Sequence, residues 1–300
     1  DGAQPLDNAV FFSRLTRRII SILTMHTTSG KLYEVDIRLR PSGQSGLLVS
    51  SLTAFDLYQR QDAWTWEHQA LLRSRAVAGD GGVKAGFEQL RVKALTTYVR
   101  RENLAKEVAD MRQRMRDELS KGTPALLDVK QDPGGITDIE FLVQYLVLRE
   151  AWRYPDLVRW SDNIRQLEAL AAHAILAPAD AEQLADAYRA YRQRLHHLNL
   201  AGAPGLLPRA ETAVLVATVI RHWQARLGGK DARPWIAERG LDVHARKQSS
   251  TIDIVPPPGV RNDALCDVGG TPGCSLADVL VMRRGFLSPP TAAVEQRCFA

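Results

Sequence analysis

Residues 30–48 read GKLYEVDIRLRPSGQSGLL. A β-strand over 32–39 would place alternate side chains on opposite faces. Tyr33, Val35, Ile37 and Leu39 then share an apolar face, while Glu34, Asp36, Arg38 and, further along, Arg40 share a charged one. A strand that only faced water tolerates such alternation, but it does not need two carboxylates followed by two arginines. The turn PSGQSG (41–46) follows, and LLVSS (47–51) reads as a second short strand.

Working outward, the chain becomes helical on both sides. Asp7 is placed to cap a helix whose apolar positions Phe11, Leu15, Ile19, Ile22 and Leu23 recur at helical spacing, with Gly30 available to end it. Between 53 and 77 the period is again helical, with Trp64, His68, Leu71, Leu72 and Arg75 on one side. Further helices are predicted near 84–98, 101–120, 136–151, 161–173, 179–198 and 211–227. A short extended run, LLDVK, interrupts them within ALLDVKQDPGG (125–135). The pattern predicts an α+β, predominantly α chain, in which a few strands precede or punctuate a helical bundle. From 228 to 300, segments such as DIVPPPGV and DVGGTPGCS lack any sustained apolar period and predict a weakly ordered tail.

Thirty-nine basic against 34 acidic residues give a formal charge of +5 and a pI near 9.2. That balance suits an anionic partner such as a nucleotide, but its mixed charges disfavour a nucleic-acid-binding protein. No apolar run approaches a membrane span, and the first ten residues, DGAQPLDNAV, lack the basic and apolar regions of a signal peptide. The three cysteines, Cys266, Cys274 and Cys298, are odd in number and indicate neither a disulfide framework nor a zinc site. A cytoplasmic location, with no membrane partner, is the expectation.

Several residues invite competing readings. In DPGGITDIEF, Thr137 and Glu140 have capping-box spacing and the paired glycines make a turn before a helix. The same helix N-terminus could receive an anion, with Lys130 and Asp138 as candidates. Trp64 and Trp66 sit among helical apolar positions and read as core, although an indole could stack on a base. His68 reads as a hydrogen-bonded core histidine. MRQRMRDEL (111–119) reads as the solvated face of a basic amphipathic helix, and His196–His197, as neighbours, cannot share a helix face.

Three blocks, taken together, reach a family. Residues 30–80, then DVKQDPGGITDIEFLVQYLVL (128–148), then WSDNIRQLEAL (160–170) resemble the glutamine synthetase adenylyltransferases, in that order. These are large bacterial enzymes of the polymerase-beta-like nucleotidyltransferase superfamily, with one half that attaches AMP to a tyrosine of glutamine synthetase and another that removes it by phosphorolysis. SGLLVSSLTAF, AWTWEHQAL and TDIEFLVQ are similar to the adenylylating half. The deadenylylating half typically has RPFG and REIEF where this chain has RPSG and TDIEF.

The resemblance implies ATP as substrate and Mg²⁺ as cofactor, with Asp36 as a catalytic and metal-binding carboxylate. Nucleotidyl transfer of this kind can use two divalent ions ~3.5–4 Å apart, held by carboxylates and phosphates. Arg38, Arg40 and Lys130 would then meet the polyphosphate, and Ser45 and Gly46 would bring backbone N–H groups to it. It also implies glutamine synthetase and a PII-type signalling protein as partners. The superfamily's Gly-Ser and Asp-x-Asp motif is not found in 1–29, where the acids are Asp1 and Asp7. The expected organisation is therefore a truncated nucleotidyltransferase core (1–127), a helical domain (128–227) and the tail (228–300). The rival reading is a catalytically inactive helical module that binds a protein partner.

Overall fold

The Asp7 carboxylate accepts the N–H groups of Ala9 and Val10 and starts α1 (Asn8–Thr24) where the capping signal placed it. The computed structural model describes residues 6–228 apart from 32, 38, 39, 44 and 45. Predictions for Arg38, Ser45 and the tail from 229 onward thus lie outside the described residues. The described residues belong to one compact unit.

After α1 come β1 (His26–Thr27) and β2 (Gly30–Lys31), an antiparallel pair of two residues each. The strands expected near 31–40 and 46–51 do not form among the described residues, where 33–37 and 46–50 carry no regular structure. A strand needs a neighbour to accept its N–H groups, and this segment's recorded backbone bond runs instead from Tyr33 N–H to the Leu23 carbonyl. Tyr33 and Ile37 are consequently exposed, and Leu47 is 68% exposed.

The helix expected across 53–77 is two, α2 (Leu52–Gln61) and α3 (Thr65–Leu72). The break at Asp62–Trp64 is stabilised by Glu67, whose carboxylate accepts the Trp64 N–H at 2.9 Å and the Tyr58 hydroxyl at 2.8 Å. Next come α4 (Gly81–Lys93), which runs on as a π-helical turn over Ala94–Tyr98, and α5 (Leu104–Leu119). Then follow β3 (Leu126–Asp128), α6 (Ile136–Glu150), α7 (Asn163–Ala172), α8 (Pro178–Leu200), β4 (Leu206–Pro208) and α9 (Arg209–Leu227). β4, which the sequence did not signal, pairs antiparallel with β3 in the register Leu127↔Leu207.

The core is organised around α6. Its sequence ITDIEFLVQYLVLRE is apolar around nearly its whole circumference, so it must be surrounded. Residues 136–148 are all buried, and α3, α5, α7, α8 and α9 each pack against it. Full burial of a side chain such as Leu142 or Leu146 contributes roughly 1.5–3 kcal/mol, which makes α6 the centre of the hydrophobic cluster.

His68, as expected, is a core histidine on α3, with Nε2 3.2 Å from the Gln59 carbonyl. Burial, aided by Arg100 and opposed by the Gln59 hydrogen bond, lowers its pKa to about 4. The unfolded chain binds this proton near the ordinary value of 6.5. Between those values the unfolded state therefore holds more protons, and the contribution is complete above 6.5 and lost as pH falls toward 4. Urea unfolding at pH 7 and pH 5 should show stability falling by roughly 1 kcal/mol or more on acidification, with His68→Gln flattening that slope.

Candidate functional site

Three aspartates shape the block DVKQDPGGITD (128–138) from behind. Asp128 accepts the N–H groups of Lys130 and Gln131 on Oδ1 and that of Lys121 on Oδ2. Asp132 accepts the Asp128 N–H, the Ser120 hydroxyl and the Arg209 guanidinium. Asp138 accepts the Gly134 N–H at 2.8 Å on Oδ2, and on Oδ1 the Arg112 Nε–H at 2.7 Å and an Arg116 Nη2–H at 2.6 Å. Arg112 is 0% exposed; its Nη groups also donate to the carbonyls of Lys130 and Gln131 and to the Gln131 side chain. Gly134 has φ +79°, and a Cβ there would lie 2.8 Å from the Val216 carbonyl oxygen, so this turn requires glycine. Tyr191 donates to the Gly134 carbonyl at 2.8 Å.

Two readings change accordingly. MRQRMRDEL is not a solvated face, because Arg112 and Arg116 point inward to a carboxylate 26 and 22 residues away. Their i, i+4 spacing was the one signal that they share a helix face. Thr137 and Glu140 do not make a capping box either: Gly135 is the N-cap of α6 and has no side chain to offer. Glu140 instead reaches across to the Tyr188 hydroxyl at 3.2 Å and to Arg73 at 3.7 Å. Asp138 is the buried counter-ion of the two arginines. Lys130 is half-buried in the same region; burial lowers its pKa, Glu140 and Asp128 raise it, and Arg192 lowers it.

The other candidate residues lie on the irregular segment. Asp36 is exposed. Arg40 donates from Nη1 to the Ile37 carbonyl at 2.5 Å and from Nη2 to the Gly46 carbonyl at 3.5 Å, drawing the turn around its own guanidinium. Ser42 and Gly43 have φ of 58° and 55°, and a Cβ on Gly46 would sit 1.9 Å from the Pro41 carbonyl oxygen. The Ser42 N–H bonds to the Tyr58 phenol, whose pKa is raised first by burial and then by Glu67. Ser13, Arg17, Ile20 and Ser21 of α1 join Ile37, Arg40 and 46–48 around a shallow cavity of about 540 Å³. Arg40 and Gly46 therefore come together. A Mg²⁺ ion is held by one or two carboxylates with phosphates and waters, the ligand type that the Asp36 side chain carries. Among the described residues no three His, Cys, Asp or Glu side chains gather to hold a metal, and no helix is long and apolar enough to cross a membrane.

Comparison with known proteins gives this arrangement a context. A family model described as glutamate-ammonia ligase adenylyltransferase matches residues 1–90, and one described as GlnD PII-uridylyltransferase matches 102–226. Both describe nucleotidyltransferases. The chain is 50% identical over 228 residues to the bifunctional glutamine synthetase adenylyltransferase/adenylyl-removing enzyme of Hahella chejuensis, covering 74% of this chain and 24% of that protein. It is 49% identical over 224 residues to the protein of the same name from Thioalkalivibrio sulfidiphilus, covering 75% and 23%. Against the Pseudomonas aeruginosa protein the identity is 46% over 241 residues, covering 76% and 24%. The chain belongs to the glutamine synthetase adenylyltransferase family, and it spans about a quarter of the length of these curated relatives.

The buried ion pairs yield a stability prediction. Asp138→Asn leaves two buried guanidinium groups without their carboxylate, and breaking such a pair typically costs ~3–5 kcal/mol. Asp110→Asn, which removes an exposed pair with Lys106, should cost less than about 1 kcal/mol. Denaturant midpoints for the two variants, at unchanged slope, check the difference.

Proposed function

We propose that this chain forms part of an adenylyltransferase that moves AMP from ATP to a tyrosine of glutamine synthetase, as in the adenylylating half of its family. The observation that supports the reading is Arg40 reaching both the Ile37 and the Gly46 carbonyls, with Asp36 exposed four residues ahead of it. A tyrosine oxygen would attack the α-phosphorus, the bond to pyrophosphate would break, and the phenolic proton would leave to a nearby base. In this reading Asp36 is the carboxylate beside the entering oxygen and one ligand of Mg²⁺, which when bound would neutralise phosphate charge. Arg40, Arg38 and Lys130 would meet the polyphosphate, and Ser45 and Gly46 would offer backbone N–H groups to it. The relatives' names supply the acceptor protein and the paired adenylyl-removing activity. ATP, a PII-type regulatory partner and a cytoplasmic location belong to the same proposal.

The test is a chimera in which residues 1–228 replace the matching segment of the Hahella chejuensis enzyme. In it, Asp36→Asn should lower labelled AMP incorporation into glutamine synthetase at least ~10–100-fold, the loss typical of disturbing even the groups that support a metal ligand. Its melting curve should not move, because the amide is isosteric and the position is exposed. Glu34→Gln, exposed and paired with Lys31 at 3.8 Å, should cost far less. A folded Asp36→Asn chimera with near-normal transfer would show that the charged stretch is only a solvated surface.

A further inference from the structure

A polar cluster with no part in the nucleotide reading joins the start of α8 to the end of α9. His222, on α9, is 2% exposed, yet it borders a cavity of about 390 Å³ with Asp180, Arg221, Ala225 and Arg226. Asp180 lies in the first turn of α8, and Gln183 follows it by three residues. Arg221 precedes the histidine on α9, and Arg226 comes one turn after it. The Asp180 carboxylate accepts an Arg226 Nη2–H at 2.7 Å, and Arg221 donates to the Gln183 side-chain oxygen. Each bond crosses from one helix to the other.

The two ring nitrogens of His222 have different neighbours. Nε2 lies 3.2 Å from the Gln183 side-chain oxygen and 3.4 Å from an Arg221 Nη2. Nδ1 lies 3.2 Å from Arg226 Nη1, while the Asp180 carboxylate, at 4.0 Å, is beyond hydrogen-bond reach. A guanidinium has only donors, so Nδ1 is the bare nitrogen and accepts from Arg226. These bonds assign the ring's proton to Nε2, which donates to Gln183. A second proton can go only to Nδ1, onto the lone pair that Arg226 already uses. It also brings a third cation to two arginines and one carboxylate. Burial first, then Arg226 and Arg221, accordingly lower the pKa, against Asp180, which raises it. Among the described residues these three are the charges that act on the ring; α5, α6, β3 and β4, which also pack on α9, bring none to it.

We propose that Asp180, His222 and Arg226 form a proton-operated latch between α8 and α9, closed while the imidazole is neutral. When Nδ1 takes a proton from solvent, its bond from Arg226 is lost. Asp180 turns to the imidazolium and Arg226 moves out toward the cavity, so the ion pair across the two helices opens. A released ring paired with Asp180 titrates at or above the ordinary 6.5, and the latched ring below it. Opening therefore takes up a proton as pH falls through that range, and one proton favours it by at most about tenfold per pH unit. Trp223, the next residue, is 5% exposed and lies under Arg116 at 5.5 Å, so loosening the end of α9 also acts on the helix that holds Asp138.

The test uses the 300-residue chain between about pH 7 and pH 5, read by imidazole NMR and by amide protection factors, which remove the intrinsic pH dependence of exchange. Protection of 219–227 should fall with pH, in excess of any fall in 139–148, whose amides report unfolding of the whole bundle. His222→Asn places an oxygen near the position of Nδ1 and cannot titrate, so the excess should vanish. Arg226→Met removes the competitor for the lone pair and should raise the midpoint of the His222 titration. Asp180→Asn removes the group that favours the proton and should lower it. A histidine that only fills space would not show these opposite shifts, and both variants keep the imidazole if His222→Asn fails to fold. Protection of 219–227 that does not fall beyond that of 139–148, the same excess in a folded His222→Asn, or an unmoved midpoint in Arg226→Met and Asp180→Asn overturns the latch. None of its residues enters the nucleotide reading, which is scored by AMP transfer alone.

Discussion

A guanidinium with no access to water must find its partners within the protein, and Arg112 finds them at one place. Its donors meet Asp138, the Gln131 side chain and the carbonyls of Lys130 and Gln131. Arg116 shares the same carboxylate and lies over the Trp223 ring at 5.5 Å. Desolvating two cations is costly, and one carboxylate offsets it only when the geometry is tight and the remaining donors are satisfied. The consequence is positional. α5 cannot slide along α6 without stranding a charge, and the loop before α6 cannot lift without losing the acceptors of Arg112.

That constraint propagates. With Asp138 in place, its second oxygen holds the Gly134 N–H and so sets the turn that starts α6. The turn carries the Ile136 N–H to the Val129 carbonyl, and β3, one residue earlier, meets β4 and the start of α9. Residues from 112 to 209 are thereby tied through one loop. Lys130 sits on it with its backbone N–H held by Asp128 and its carbonyl held by Arg112, so the side chain leaves from a backbone fixed at both ends.

Helices were legible in the sequence because their signal is local. Asp7 and the apolar period after it are enough for α1, and the helical period over 136–151 is enough for α6. The strand was not legible, because alternation describes a strand's faces and not the neighbour that makes it one; 33–37 alternates without pairing. Charge was misread for a similar reason. Composition marks Arg112 and Arg116 as surface residues, and only the carboxylate on another helix makes them interior ones. Glu140 shows the same limit: its spacing from Thr137 fits a local cap, yet its carboxylate is used by α3 and α8. At the candidate site, Arg40 reaches the Gly46 carbonyl, a contact across six residues that no residue spacing announced.

The two glycine-bearing turns, 40–43 and 130–135, share a construction that bears on what each can do. In both, a buried acid collects donors from behind the turn: Glu67 through Tyr58 in the first, Asp128 and Asp138 in the second. A turn braced this way keeps its shape without help from whatever it faces, and preorganisation of that kind lowers the ordering cost of receiving a ligand. The carboxylates used for bracing are thereby matched to protein donors, so their charge opposes an incoming anion less than an unmatched acid would. Each turn also carries a cation of its own, Arg40 in one and Lys130 in the other. Acidic residues close to a proposed phosphate site are then no argument against it, because the sign of the local field is set by which charges already have partners.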